Sequence, residues 1–221
     1  MPNKQLVTAV IVNFNTAELT RRAATSFRKH YPIVPLLLID NGSHDGSAGV
    51  LNELRAQDPR YTDVILNKKN IHHGPAMDQG LRTLNTPYVL FLDSDCELLR
   101  GGFLEAMTAL GEEKTNNYAV GKLVFMNKRG FDVKESNGAI AYIRPICLLI
   151  KRKTYLTLPR FRRHGAPCLE NMKKAVEEGL LLLDFPVFEY VTHKGRGTAE
   201  EYGYRLGLHG KINYVLNKLG L

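Results

Sequence analysis

Four short apolar runs, each stopping at Asn or Asp and separated by helix-like stretches, set the fold of this chain. Leu6 to Val12 ends in Asn13-Phe14-Asn15, and Val34 to Ile39, interrupted early by Pro35, stops at Asp40-Asn41-Gly42-Ser43. Val64-Ile65-Leu66 leads to Asn67 and Asn70, and Tyr88 to Leu92 runs straight into Asp93-Ser94-Asp95. All four read as strands, and the continuously apolar run from Tyr88 to Leu92 as one buried on both faces. Between them, Thr16 stands where a helix cap belongs, ahead of Leu19, Ala23 and Phe27 at four-residue spacing. A second helix is expected from about Asp45, with Val50, Leu51 and Leu54 inward, and a third opens at Gly74-Pro75 with Met77, Leu81 and Leu84 as its stripe. Strand and helix alternating at this spacing predict a mostly parallel sheet with helices on its faces. All four polar strand ends then meet at one edge, where such sheets bind ligands.

The second half is less regular. Tyr118 to Met126 reads as a strand, Ile140 to Ile150 contains another broken at Pro145, and Leu180 to Val187 is a third. Cys168 to Glu178 is expected as a helix closed by Gly179. Residues 199–221 read as a basic amphipathic helix with Leu208, Ile212, Val215, Leu216 and Leu219 on one face. That stripe suits packing on the domain, a second subunit in a homodimer, or a peripheral hold on an anionic membrane. The division expected is a domain over 1–198 and this helical extension.

At 221 residues the chain has room for a substantial core, and its +8 net charge suits an anionic partner as well as a solvated surface. The three cysteines are odd in number and scattered, which fits a reducing, cytoplasmic setting. No charged-then-apolar leader and no membrane-spanning run is read from the sequence.

Asp93 and Asp95 place two carboxylates, one residue apart, at the end of a buried strand. Hard oxygen donors of this kind suit Mg²⁺ or Mn²⁺, which in turn hold phosphates. A turn or helix cap is the plainer role of a lone Asp-x-Asp. A haloacid dehalogenase-type phosphatase would carry its motif on the first strand, whereas here it ends the fourth. A nucleotidyltransferase would want a Gly-rich basic loop after strand one, where Asn13-Phe14-Asn15-Thr16 stands instead. Nucleic-acid binding rests on net charge alone and is set aside.

Taken in order, these segments resemble the family 2 glycosyltransferases of the GT-A fold, an α/β, Rossmann-like architecture. Val10-Ile11-Val12-Asn13-Phe14-Asn15 resembles the family's opening strand, and Leu38 to Ser47 resembles its Asp-Asn-Gly-Ser segment. Asn70, Gly74, Ala76 and Gly80 match its next motif with a shifted first spacing; Phe91 to Asp95 is its metal motif. Tyr190 to Gly197 resembles its late His-Gly-rich segment. The likeness is strong over residues 6–97 and patchy beyond.

The resemblance implies a metal-dependent, inverting transfer of sugar from a nucleoside-diphosphate-sugar to a hydroxyl acceptor, in polysaccharide or glycolipid synthesis. Residues 1–97 would bind the nucleotide-sugar, UDP-sugars being the first expectation, and 98–198 a saccharide or lipid-linked acceptor. Val12, Asn13, Asn15, Asp40, His72, Asp93, Lys194 and Arg196 would line the nucleotide site. The plainer roles are turn amides for Asn13 and Asn15, helix capping for Asp40, and solvated loops for His72, Lys194 and Arg196. Asp93, Asp95 and His193 would hold Mn²⁺ or Mg²⁺. The family's carboxylate base falls on Pro167-Cys168 here, so Glu170, the nearest helix-start acid, is the candidate base. A degenerate, non-catalytic nucleotide-sugar-binding protein is the alternative.

Overall fold

The computed structural model describes residues 6–162 and 165–194. Its first half follows the alternation: β1 (Val7–Asn13), α1 (Ala17–His30), β2 (Leu36–Asp40), α2 (Ser47–Gln57), β3 (Thr62–Leu66), α3 (His73–Thr83) and β4 (Tyr88–Leu92). Then come β5 (Cys96–Leu98), α4 (Phe103–Glu112), β6 (Asn117–Met126), β7 (Asp132–Val133), β8 (Ile140–Lys151) and α5 (Arg152–Tyr155). The described chain closes with α6 (Leu169–Glu177), β9 (Leu181–Asp184), a 3₁₀ turn at Val187–Glu189 and β10 (Val191–His193).

The main sheet runs β3-β2-β1-β4-β8-β6-β7, with β9 added beside β6. β3, β2, β1 and β4 are parallel neighbours, while β8 lies antiparallel to both β4 and β6. β2, reached after β1, pairs on one side of it and β4 on the other, so the strand order reverses between β1 and β4. Such a reversal splays the flanking crossovers apart and opens a crevice beyond the strand ends. Asn13 ends β1 and Asp93 follows β4, which puts both at the crevice.

Alternate strand residues feed two cores. Ala9, Ile11, Leu38, Leu90 and Leu92 pack with α1, α2 and α4, while Val10, Leu37, Ile39, Val89 and Phe91 pack with α3 and α6. Burial on both faces is what continuous apolar runs require.

Several sequence expectations are corrected. Thr16 precedes α1, but its hydroxyl makes no cap; it donates to the Asn13 amide oxygen. Strand β2 begins at Leu36, not Val34. The apolar stretch from Leu180 divides, since β9 stops at Asp184 and Val187 starts a 3₁₀ turn. Strand β8 is not broken at Pro145 but bulged there. Gly121 faces Leu148 and Leu123 faces Ile143, so one intervening residue on β6 opposes residues 144–147 on β8. The bulge needs a bare backbone at its pivot: a Cβ on Gly121 would lie 2.6 Å from Ile143 Cγ2 and 2.7 Å from the Cys147 carbonyl oxygen. Its loosened amides find other partners, Leu123 N donating to Asp184 Oδ1 and Ile143 N to Met172 Sδ. The expected helix over 199–221 lies outside the described residues.

Candidate functional site

The crevice is built from polar residues at the ends of β1, β2 and β3. Asn13 is fully buried, and its amide spends all four of its hydrogen-bonding positions inside the fold. Nδ2 donates to Asp40 Oδ1 (2.7 Å) and Ser43 Oγ (3.1 Å); Oδ1 accepts from Thr16 Oγ1 (2.9 Å) and Thr20 Oγ1 (2.7 Å). Asp40, also buried, further accepts from the Ser43 backbone (3.1 Å) and hydroxyl (2.6 Å). Asn15, at φ 52°, accepts from the His44 backbone, which ties the β1 and β2 loops together. Asn41 links onward to Asn67, Asn70 and the Ile71 amide. This turn is tight enough to demand glycine: Gly42 has φ 76°, and a Cβ there would sit 2.4 Å from the Lys69 carbonyl carbon.

Asp93, Asp95 and His193 converge at the crevice floor. The Asp93 amide donates to the Ile146 carbonyl of the bulge at 3.0 Å, anchoring the turn that carries both acids. β5 and β10 form a separate antiparallel pair in which His193 directly faces Cys96. That pairing brings His193 Nε2 to 3.1 Å from Asp95 Oδ1 and 3.8 Å from Asp93 Oδ2. The Lys194 amide donates to the Asp95 carbonyl at 3.3 Å.

The electrostatics are those of a cluster with excess negative charge. Desolvation and the neighbouring Asp95 push Asp93 up to about 7, against the pull of His193. Desolvation opposes charging of His193, but its hydrogen bond to Asp95 and the charges of Asp95 and Asp93 together raise it. Burial raises the Cys96 thiol, with Asp93 and Asp95 adding to the effect, and its Sγ–H donates to the Ile146 carbonyl at 3.5 Å. Two carboxylates and an imidazole around one point suit a divalent cation, whose charge would offset the burial and the neighbouring Asp95 that raise Asp93.

The glycosyl transferase family 2 model matches residues 8–173, three-quarters of the chain and every strand from β1 to β8. The chain belongs to this family. A search of curated protein sequences gives no match. Among solved structures it resembles a mannosyltransferase, PcManGT, from Pyrobaculum calidifontis in complex with GDP-Man and Mn²⁺ (TM-score 0.67, 15% identity, 84% of this chain and 56% of that one). It also resembles GalNAc-T7 with UDP, GalNAc and Mn²⁺ (0.71, 16%, 87% and 44%). A third likeness is to residues 1–349 of S. aureus TarS with UDP-GlcNAc (0.61, 15%, 86% and 59%). At these identities the likeness establishes the GT-A fold, and the chain spans about half the length of each structure.

Within this family 2 chain the histidine pair at the start of α3 resolves unexpectedly. His72 is exposed, and it is the neighbouring His73 that reaches the cluster, with Nε2 3.9 Å from Asp93 Oδ1. Desolvation pulls His73 down to about 4, so its ring is neutral. No motif singles out His73; the sequence signal is its place as first residue of a helix that points at the strand ends. Val12 is half-buried beside Asn13 at the end of β1, and Lys194 follows β10, exposed. Arg196 lies outside the described residues. Glu170 is exposed in the first turn of α6, while Cys168, just before it, is fully buried.

Proposed function

We propose that this chain is a metal-dependent, inverting glycosyltransferase that moves a sugar from a nucleoside-diphosphate-sugar to a hydroxyl acceptor. The observation that carries the reading is the cluster at the strand-order reversal, where Asp95 and His193 stand 3.1 Å apart with Asp93 alongside. Asp93, Asp95 and His193 would hold Mn²⁺ or Mg²⁺; when bound, the cation neutralises charge on the departing diphosphate. Solved structures that share the fold carry Mn²⁺ together with GDP-Man or with UDP and GalNAc, which supports a nucleoside diphosphate here.

In this reading residues 1–97 bind the donor, UDP-sugars first. Asp40 and the backbone at Val12 and Asn13 line the base pocket, and Asn15 shapes its rim. With the Asn13 amide saturated internally, its side chain holds Asp40 in place. His72 borders the site from the α3 loop, and Lys194 with Arg196 contacts the diphosphate. Residues 98–198 receive a saccharide or lipid-linked acceptor, in polysaccharide or glycolipid synthesis on the cytoplasmic side. No helix among the described residues is long and apolar enough to cross a membrane. The extension over 199–221 is assigned either to packing, on the domain or on a second copy, or to a peripheral membrane contact.

Glu170 takes the proton of the acceptor hydroxyl as it attacks the anomeric carbon opposite the leaving diphosphate. One assay tests both assignments. Asp95→Ala should lose Mn²⁺-dependent donor binding and transfer, while Glu170→Gln keeps donor affinity and loses about 10²–10⁴-fold in turnover. Wild-type transfer by Asp95→Ala would refute the metal site, and unchanged turnover by Glu170→Gln would move the base elsewhere. The second reading, a binding protein without catalysis, is favoured by Pro167-Cys168 at the family's base position; donor binding with neither hydrolysis nor transfer would establish it.

A further inference from the structure

All three cysteines of the chain are buried, but Cys96 alone belongs to the cluster. Its Sγ, an Asp95 carboxylate oxygen and a His193 ring nitrogen all lie within 4.8 Å of one another. The β5–β10 register explains why. Cys96 and His193 are direct partners across an antiparallel pair, so their side chains leave the same face of the ribbon. Asp95 is the residue immediately before. An S, N, O set is unlike the O, N set already assigned to a hard cation, because thiolate sulfur prefers Zn²⁺, Co²⁺ or Cd²⁺.

We propose that Cys96 makes the centre a dual-mode metal site: Mn²⁺ and Mg²⁺ are held by the carboxylates and His193, whereas thiophilic divalent ions recruit Cys96 as a third or fourth ligand. In the second mode the S–H bond breaks as the S–metal bond forms, the proton leaves to solvent, and the hydrogen bond to the Ile146 carbonyl is given up. Zinc–sulfur and zinc–nitrogen bonds of about 2.3 and 2.0 Å put tetrahedral donors about 3.5 Å apart, so modest side-chain rotations from the present spacing close the set. With Asp95, Cys96 and His193 bound, a tetrahedral ion keeps one open position. A diphosphate chelating through two oxygens needs two, so Zn²⁺ in this mode competes with Mn²⁺ and blocks donor binding.

The inference rests on the metal reading above, and the test separates the two. Co²⁺ alone is titrated into the full chain and absorbance is followed, with Mn²⁺ binding measured in parallel by electron paramagnetic resonance. A thiolate-to-cobalt charge-transfer band saturating at one equivalent is expected. Cys96→Ser should abolish the band and weaken Co²⁺ by at least about 10–100-fold, leave Mn²⁺ affinity unaltered, and differ from Cys147→Ser and Cys168→Ser, which keep the band. X-ray absorption of the Zn²⁺-loaded wild-type chain needs no variant and should show one sulfur at about 2.3 Å. A shell of nitrogen and oxygen only, or a band that survives Cys96→Ser, overturns the proposal while leaving a Mn²⁺ site intact. Failure to bind Mn²⁺ or Co²⁺ at all overturns both.

Discussion

His72 holds φ 72° and ψ 162°, a backbone region that only glycine enters without a steric penalty. The loop imposes it: the His72 amide donates to Asn70 Oδ1 at 2.7 Å, and Asn70 is itself bonded to Asn41. Strain of this kind costs about 1–3 kcal/mol, while glycine adds about 0.5–1 kcal/mol of unfolded-state entropy. His72→Gly should therefore be neutral to stabilising by up to about 2 kcal/mol, and His72→Ala, which keeps a Cβ, should gain nothing. Urea unfolding of both variants decides it; a destabilised glycine variant would mean the loop carries no strain. At this scale the sequence was informative about residue type and weak about direction. The grouping of Asp93, Asp95 and His193 was legible because one motif follows a buried strand and the other resembles the family's late His-Gly-rich segment. His73 was not, because two adjacent histidines look alike until a helix start turns one inward and leaves the other exposed.

The bulge in β8 shows what periodicity misses at the level of elements. Pro145 read as a break because proline cannot donate to a ladder. The chain instead keeps pairing with β4 through Cys147 and with β6 on either side, and the displaced residues 144–147 offer the Ile146 carbonyl to Asp93 and Cys96. Gly121→Ala would press a methyl into the Ile143 side chain and the Cys147 carbonyl, costing about 1–3 kcal/mol as overpacking does. Because the strain falls on the strand that anchors Asp93, metal affinity should fall together with the melting temperature. An alanine variant with unchanged melting would show that the bulge yields freely. Strands β5 and β10, three residues each, fell below what an apolar pattern can reveal; only their pairing makes them strands.

For the whole molecule, the parallel half was readable because β1, β2 and β4 are buried on both faces by helices, with β3 as a partly exposed edge. In the second half the strands over Tyr118 to Met126 and Ile140 to Ile150 were readable but their pairing was not, since β8, β6 and β9 take their partners from distant segments. Stability should respond to ligand as a single cooperative unit. Mn²⁺ with a nucleoside diphosphate at about 100 times its dissociation constant adds about 2.7 kcal/mol. For a chain of this size that is a rise of about 5–10 °C in melting temperature. Thermal melts with UDP or GDP, with and without Mn²⁺, should show the rise only when both are present, and EDTA should reverse it. A nucleotide shift independent of metal would separate base recognition from the acidic cluster.

The pairing of β10 with β5 also sets a clock. His193 leaves the ribosome 98 residues after Asp95. At about 5–20 residues per second, the two acids wait about 5–20 s for their histidine. Through that interval the first four strands can close around their helices, yet the nascent chain has no complete cation centre. Metal capture is thereby deferred until β10 has been made, when every described strand of the main sheet is already available to shape the site.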